Sequence, residues 1–305
     1  MSYAKIYLLL TGIMITWGLN VSVLKIIIMN TQPVTITALR IFTASLIVII
    51  ILFYLGLLRL PKKRELIYVF GGALFSVVFH HYFLAEGLSR TSGSNAGLIL
   101  GMGPILTVIL TMIFFRQKPT IIRLLGFICG ALGVSFTVMA GGGSNHSINL
   151  GDIDILLSIL SQALSFILIN QASKTMDPRL LTGYMMLIGS FILFAISFWK
   201  EPDGLSSLAD APPSMWGAFL FSAIFATALG HMSYNYAIGQ VGAAESSIFL
   251  NLNTLFALVG AVIFLNEEIV PSHFVGLIFI VLGVLLGSGA MEMWIFQRKI
   301  KRLPD

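Results

Sequence analysis

Apolar residues run through this chain in long stretches, which polar clusters interrupt at nearly regular intervals. Ten stretches reach membrane-spanning length, at about 4–24, 34–57, 66–86, 92–115, 121–140, 151–172, 178–200, 213–237, 243–265 and 272–295. The breaks carry turn chemistry. Pro33 opens the second stretch, Pro61 follows it, and Gly141-Gly142-Gly143-Ser144-Asn145 separates the fifth from the sixth. Asp177-Pro178 opens the seventh, while Glu201-Pro202-Asp203-Gly204 and Pro212-Pro213 bracket the longest loop. Gaps this short make successive helices antiparallel neighbours. The pattern predicts an all-α polytopic membrane protein with ten transmembrane helices.

The second half re-reads the first at a shift of 150 residues. His81, Leu100, Ile113, Phe114, Gly126, Ile128, Leu132, Gly133 and Val134 recur as His231, Leu250, Ile263, Phe264, Gly276, Ile278, Leu282, Gly283 and Val284. The same alignment superimposes the loops, which chance matches between apolar stretches would not do. Each half holds five stretches, an odd number, so the halves are expected to cross the membrane in opposite orientations. The expected organisation is two inverted five-helix repeats, 1–143 and 144–305, the second ending in a basic cytoplasmic tail. Inverted repeats recur among secondary transporters.

Composition narrows the class further. A mean hydropathy of +0.95, with 57% hydrophobic and only 10% charged residues, leaves no room for a separate soluble domain. The net charge of +5 reports orientation rather than a nucleic-acid partner. With the N-terminus inside, fourteen of the eighteen basic residues fall at cytoplasmic ends, Lys25, Arg90 and Lys200 fall outside, and Arg40 lies within a helix. The positive-inside rule then predicts a multi-pass plasma-membrane protein with both termini cytoplasmic. The first stretch lacks a cleavage signature and reads as a retained helix. The single cysteine, Cys129, excludes an internal disulfide framework and a cysteine metal site, and no cofactor or metal is expected. The expected partners are a small-molecule substrate and the lipid bilayer; a homodimer is admitted.

Small residues recur at helix-contact spacing. Gly93, Gly97 and Gly101 answer to Ala243, Ser247 and Asn251, and the pairs Gly126/Gly130 and Gly283/Gly287 repeat the spacing in the last helix of each half. In lipid, small faces let backbones approach closely, so packing is the role expected of these glycines.

The segment WGLNVSVLKIIIMNTQPVTITALRIFTAS, with Trp17, Gly18, Lys25, Pro33 and Arg40, resembles the opening of the EamA family in the drug/metabolite transporter superfamily. The stretches that begin SRTSGSNAGLILGMGP and GQVGAAESSIFLNLNT resemble the ends of that family's repeats, so the likeness covers nearly the whole chain. It implies ten helices, a central cavity between the repeats, alternating access, and export of amino acids, related metabolites or toxic compounds. Two positions depart from the family pattern: Gln117 stands where a glutamate is common, and Thr254 where a proline is usual in helix nine.

Ionisable residues within membrane segments cost roughly 2.5–3.5 kcal/mol each at mid-bilayer, and those present are therefore site candidates. Arg40 reads either as a snorkelling or ion-paired structural arginine or as a docking charge for a substrate carboxylate. Glu86 can pair with Arg90 one turn on, or with Arg40 as a gate that breaks when substrate arrives. Glu245 suits a helix start. His81 and His231, repeat equivalents, are proton-coupling candidates. His80 has no equivalent, and adjacency turns its ring to another helix face than that of His81. Every aspartate is read as loop or tail. Polar stripes mark the cavity: Ser158, Gln162 and Ser165 on helix six, Thr16 and Asn20 beside Trp17 on helix one, His231, Tyr234 and Asn235 on helix eight, Ser247 and Asn251 on helix nine. Trp17, Tyr82, Tyr234 and Tyr236 could stack on a substrate or its cationic group.

Rival classes fare worse. The chain lacks HExxH and GxSxG, which argues against an intramembrane enzyme. No selectivity filter marks a channel. A nucleotide-sugar carrier would present more cations to its diphosphate; a nucleotide-sugar or drug carrier of the same superfamily, or a non-transporting membrane receptor, stays as the alternative. The reading favoured is a secondary transporter of small polar metabolites.

Overall fold

Long apolar runs without interior proline can satisfy their backbone groups in lipid only as helices, and helices make up the fold. The structure is a computed structural model that describes residues 2–28, 31–90, 99–116, 119–140, 150–265, 271–289 and 291–292. In chain order we label α1 (Tyr3–Ile28), α2 (Pro33–Tyr54) and α3, which is built from Leu66–Gly72, Ala73–Phe79 and His80–Arg90. The first half closes with α4 (Gly103–Phe115) and α5 (Ile121–Ala140). The second half opens with α6 (Leu150–Ala172) and α7 (Pro178–Lys200). There follow α8 (Pro213–Phe221, Ser222–Gly230 and His231–Val241), α9 (Ala243–Ser247 and Leu250–Leu265) and α10 (Pro271–Gly287). Among the described residues there is no strand. Among the described residues seven helices are long and apolar enough to cross a membrane, joined by shorter apolar helices at Gly103–Phe115, Ile121–Phe136 and His273–Gly287. Gly93, Gly97, Gln117, Glu267, Glu268 and the basic tail lie outside the described residues.

Starts are set by local chemistry. Pro33, Pro178 and Pro213 occupy first-turn positions, where the missing amide costs nothing. Asp177 caps α7 by accepting from the Arg179 amide at 2.8 Å. Glu201 caps α2 from across the fold, taking the Val34 amide at 3.0 Å and the Thr35 amide at 2.7 Å. Between α2 and α3, Arg59 grips Glu65 through two bonds of 2.7 Å. That hydrogen-bonded guanidinium holds the Glu65 carboxyl down to about 2.

Two helices are not α-helical throughout. Ala73–Phe79 of α3 and Ser222–Gly230 of α8 are π-helical. The 150-residue shift carries 73–79 to 223–229, inside the second segment. Packing pairs repeat in the same way. The α2–α7 and α5–α10 pairs each join equivalent helices, α1 against α9 matches α6 against α4, and α2 on the π segment of α8 matches α7 on that of α3.

The α5–α10 contact is built on backbone. A Cβ on Gly283 would lie 2.7 Å from the Gly130 Cα, and one on Gly126 would lie 2.6 Å from the Gly287 Cα. Gly133 meets Ile280 in the same seam. The packing role expected of these glycines is what the structure displays.

Candidate functional site

The widened turns of α3 and α8 assemble the polar centre. In a π turn the backbone bonds five residues back, which turns carbonyls out of the regular ladder. Thr227 Oγ1 donates to the Ser222 carbonyl, five residues earlier, at 2.8 Å. The neighbouring Ala226 carbonyl is taken by the Trp17 indole, whose Nε1 donates at 2.7 Å. Gly230 makes room for that indole, since a Cβ there would stand 2.5 Å from Nε1. Trp17 is thereby fixed with its ring 4.8 Å from His231 and 5.1 Å from Tyr234, between centroids. His231 in turn lies 6.1 Å from His81, and His81 lies 4.8 Å from His80. Phe166 closes the aromatic side, 5.2 Å from Tyr234. The two repeat-equivalent histidines therefore meet at the middle of the fold. Those of α3 touch each other while serving different helices.

Arg40 enters this centre from α2. The residue is 6% exposed, and its guanidinium donates to Thr227 Oγ1 at 2.7 Å. None of the ion pairs among the described residues includes it. Under the 150-residue shift Arg40 matches Ser190 of α7, whose hydroxyl donates to the Leu187 carbonyl at 2.8 Å, and Thr227 matches Val77. The fixed cation is thus a feature of one half only.

The α6 stripe faces His80. Ser158 Oγ lies 2.9 Å from His80 Nδ1 and donates to the His80 carbonyl at 2.9 Å, while Gln162 Nε2 lies 3.3 Å from His80 Nε2. Ser165 bonds back to the Gln162 carbonyl at 2.7 Å within its own helix. Asn235 is a structural tie, donating to Thr182 Oγ1 of α7 at 2.9 Å. Three other candidates keep buried atoms without a hydrogen-bond partner among the described residues: Asn20 Oδ1, the Tyr234 hydroxyl, and both amide atoms of Asn251. Thr16 stands outside this group, on a groove between α1 and α8, bonded to the Gly12 carbonyl at 3.0 Å.

Charged clusters close the fold at both ends. At the end opposite the N-terminus, Glu86 takes Arg90 at 2.5 Å and Lys200 at 2.6 Å, and Arg90 reaches Asp154 at 3.0 Å. Lys200 also sits 4.9 Å from the centroid of the Tyr82 ring. Of the two partners read for Glu86, Arg90 is the one it takes; the alternative Arg40–Glu86 pair is not formed, and Arg40 turns inward to Thr227. Asp152 and Asp154, expected in a loop, belong to the first turns of α6, where the helix dipole suits a carboxylate. At the N-terminal end, Arg123 of α5 binds Glu245 of α9 at 2.5 Å and Glu292 at 2.9 Å. Tyr7 donates there to the Ser288 carbonyl at 2.7 Å. A cavity of about 80 Å³, bounded by Thr111, Arg123 and Glu245, lies at this end. Sequence reasoning missed Thr227, Arg123 and Glu292. Arg123 and Glu245 were the traceable pair, as opposite charges at the starts of helices read as ending on one face.

A chain with a buried cation and a histidine pair at its centre invites comparison with known membrane carriers. The profile of the EamA-like transporter family matches twice, over residues 4–139 and again over 149–289. The chain belongs to the EamA-like transporter family. It is accordingly a multi-pass membrane protein of the transporter class. This EamA-like chain is 29% identical over 299 residues to the uncharacterized transporter YyaM of Bacillus subtilis (strain 168), covering 96% of each chain. It is 28% identical to a chloroplastic WAT1-related protein of Arabidopsis thaliana, over 85% of this chain and 64% of that one. An uncharacterized transporter of Archaeoglobus fulgidus is 26% identical, over 88% of this chain and 94% of that one. A solved crystal structure, 15% identical, superimposes with a TM-score of 0.76 over 94% of this chain and 98% of that one, which is a likeness of fold.

Proposed function

We propose that this EamA-like protein is a secondary transporter that moves small polar metabolites, amino acids and related compounds in particular, outward across the plasma membrane by alternating access. The carrying observation is Arg40, a buried guanidinium with one hydroxyl partner and no carboxylate paired to it among the described residues. A substrate carboxylate completes that set. The faces of Trp17 and Tyr234 are suited to an ammonium by cation–π attraction. The free Oδ1 of Asn20 and the free amide group of Asn251 supply further hydrogen bonds. A nucleotide sugar fits less well, because a diphosphate asks for several cations.

The double family match, the paired π segments and the repeated packing pairs support ten spans in two inverted repeats of residues 1–143 and 144–305. The basic bias of the N-terminal face supports cytoplasmic termini. In this reading the Glu86 and Arg123 clusters are the outer and inner gates, and His81 with His231 carries the coupling proton.

Counterflow tests the proposal. Purified protein in liposomes preloaded with an amino-acid and metabolite pool is expected to exchange one solute class saturably, faster with a pH gradient. His81→Asn should remove the acceleration. Silence across the pool from a folded protein would count against amino-acid transport.

A further inference from the structure

A groove of about 530 Å³ runs between α1 and α8 and has no part in the polar centre. Lys5, Leu8, Leu9, Gly12, Ile13 and Thr16 line it from α1. These positions share one helical face. Phe225, Leu229, Gly230 and Ser233 form the other wall. Gly12 keeps the floor open, since a Cβ there would meet nothing within 4 Å. Leu8 is 74% exposed, so this apolar wall looks outward to the bilayer. The groove ends behind the site itself, because Gly230 is the residue against which Trp17 packs.

We propose that this groove holds an acyl chain of an anionic phospholipid from the leaflet on the N-terminal side, with Lys5 on the lipid phosphate. Length and charge select this occupant. From Lys5 to Thr16 is eleven residues, or about 16 Å of helix at 1.5 Å per residue. One leaflet contributes about half of a hydrocarbon core roughly 30 Å thick, so the groove is as deep as one leaflet. Lys5 lies in the first turn of α1, at headgroup level, and Thr16 is the lining residue of α1 farthest from it. Thr16 spends its hydroxyl on the Gly12 carbonyl, so that end also suits hydrocarbon. A polar cargo would need its partners in the middle of the groove, where Leu8, Leu9 and Ile13 stand. The bound chain packs against the wall that fixes Trp17 and seals the centre laterally. This inference needs only that the protein spans a membrane, and it stands apart from the substrate proposed above.

Native mass spectrometry of the full chain, equilibrated with vesicles of phosphatidylglycerol or of phosphatidylcholine, tests it. Wild type is expected to retain one phosphatidylglycerol, and phosphatidylcholine at least roughly tenfold less, a difference of about 1.4 kcal/mol. Lys5 is exposed, and Lys5→Ala should fold and lose the preference between the two lipids. Gly12→Phe fills the floor and should lose both. Lys62→Ala, a basic residue outside the groove lining, should change neither. Equal retention of the two lipids by wild type overturns the proposal. So does retention unchanged in Gly12→Phe, an equal loss in Lys62→Ala, or displacement of the lipid by a cationic amphiphile.

Discussion

Arg40→Met is expected to fold at least as stably as the wild type while losing solute exchange by roughly a hundredfold or more. The two halves of that expectation have different causes. A charged side chain within the membrane costs roughly 2.5–3.5 kcal/mol on insertion scales. Arg40 recovers part of that through a bond to Thr227 Oγ1 and is otherwise enclosed at 6% exposure. An apolar side chain of similar length removes that desolvation cost and, because no carboxylate is paired to Arg40 among the described residues, leaves no buried counter-charge behind. A purely structural arginine would give the reverse result, a lower melting temperature with residual exchange. Arg40→Lys keeps the charge but loses the planar fork that grips a carboxylate, so it should recover exchange only partly. Melting in detergent, followed by intrinsic fluorescence, together with counterflow in liposomes reads both quantities on the same preparations.

The largest loss of stability is expected at the α5–α10 seam. Gly126→Leu must place a branched side chain where the Gly287 backbone already lies 2.6 Å from the Cβ position. The obstruction is main chain on a facing helix, so no rotamer relieves it, and the helices must separate. Overpacking costs typically 1–3 kcal/mol and more where backbone has to move. Gly283→Leu faces the Gly130 backbone and should behave alike. Gly12→Leu, in open space on α1, is the internal control. Fluorescence-detected size-exclusion chromatography is expected to show a clear loss of monodisperse protein for the first two and a wild-type profile for the third.

The apolar pattern was sufficient for the all-helical class, because backbone groups in lipid are satisfied within helices; it did not set every bound, since α10 ends at Gly287 where the apolar stretch runs to 295. It also located the small-residue seam, since Gly126, Gly130, Gly283 and Gly287 have no other use at that spacing. The repeat paired His81 with His231 as equivalents, but it put them in opposite thirds of the membrane and did not disclose that their rings lie 6.1 Å apart. What the pattern could not disclose was the π-helical winding of Ala73–Phe79 and Ser222–Gly230, against which α7 and α2 pack. The Arg40–Thr227 contact, made to the second of these segments, was hidden with it. Thr16 and Asn20 illustrate a second limit. They are one turn apart, yet Asn20 is buried and Thr16 opens on the lipid-side groove, because the contact surface of α1 is shared between α8 and α9. Glu86 had two candidate partners in the sequence; Lys200, from a helix in the other half, was a third that no local spacing could suggest.

Alternating access is tested most directly by labelling cysteines from either side in a Cys129→Ser background. Thr111→Cys reports on the cavity beside Arg123 and Glu245, and Ala85→Cys on the end held by Glu86 and Lys200. Glu245→Gln weakens the N-terminal cluster; a bias of about 1 kcal/mol would shift the two populations roughly fivefold. The account predicts faster labelling of Thr111→Cys with slower labelling of Ala85→Cys, and the reverse pair of changes in Glu86→Gln. Simultaneous opening of both sites, or indifference of each to the opposite gate, would contradict it.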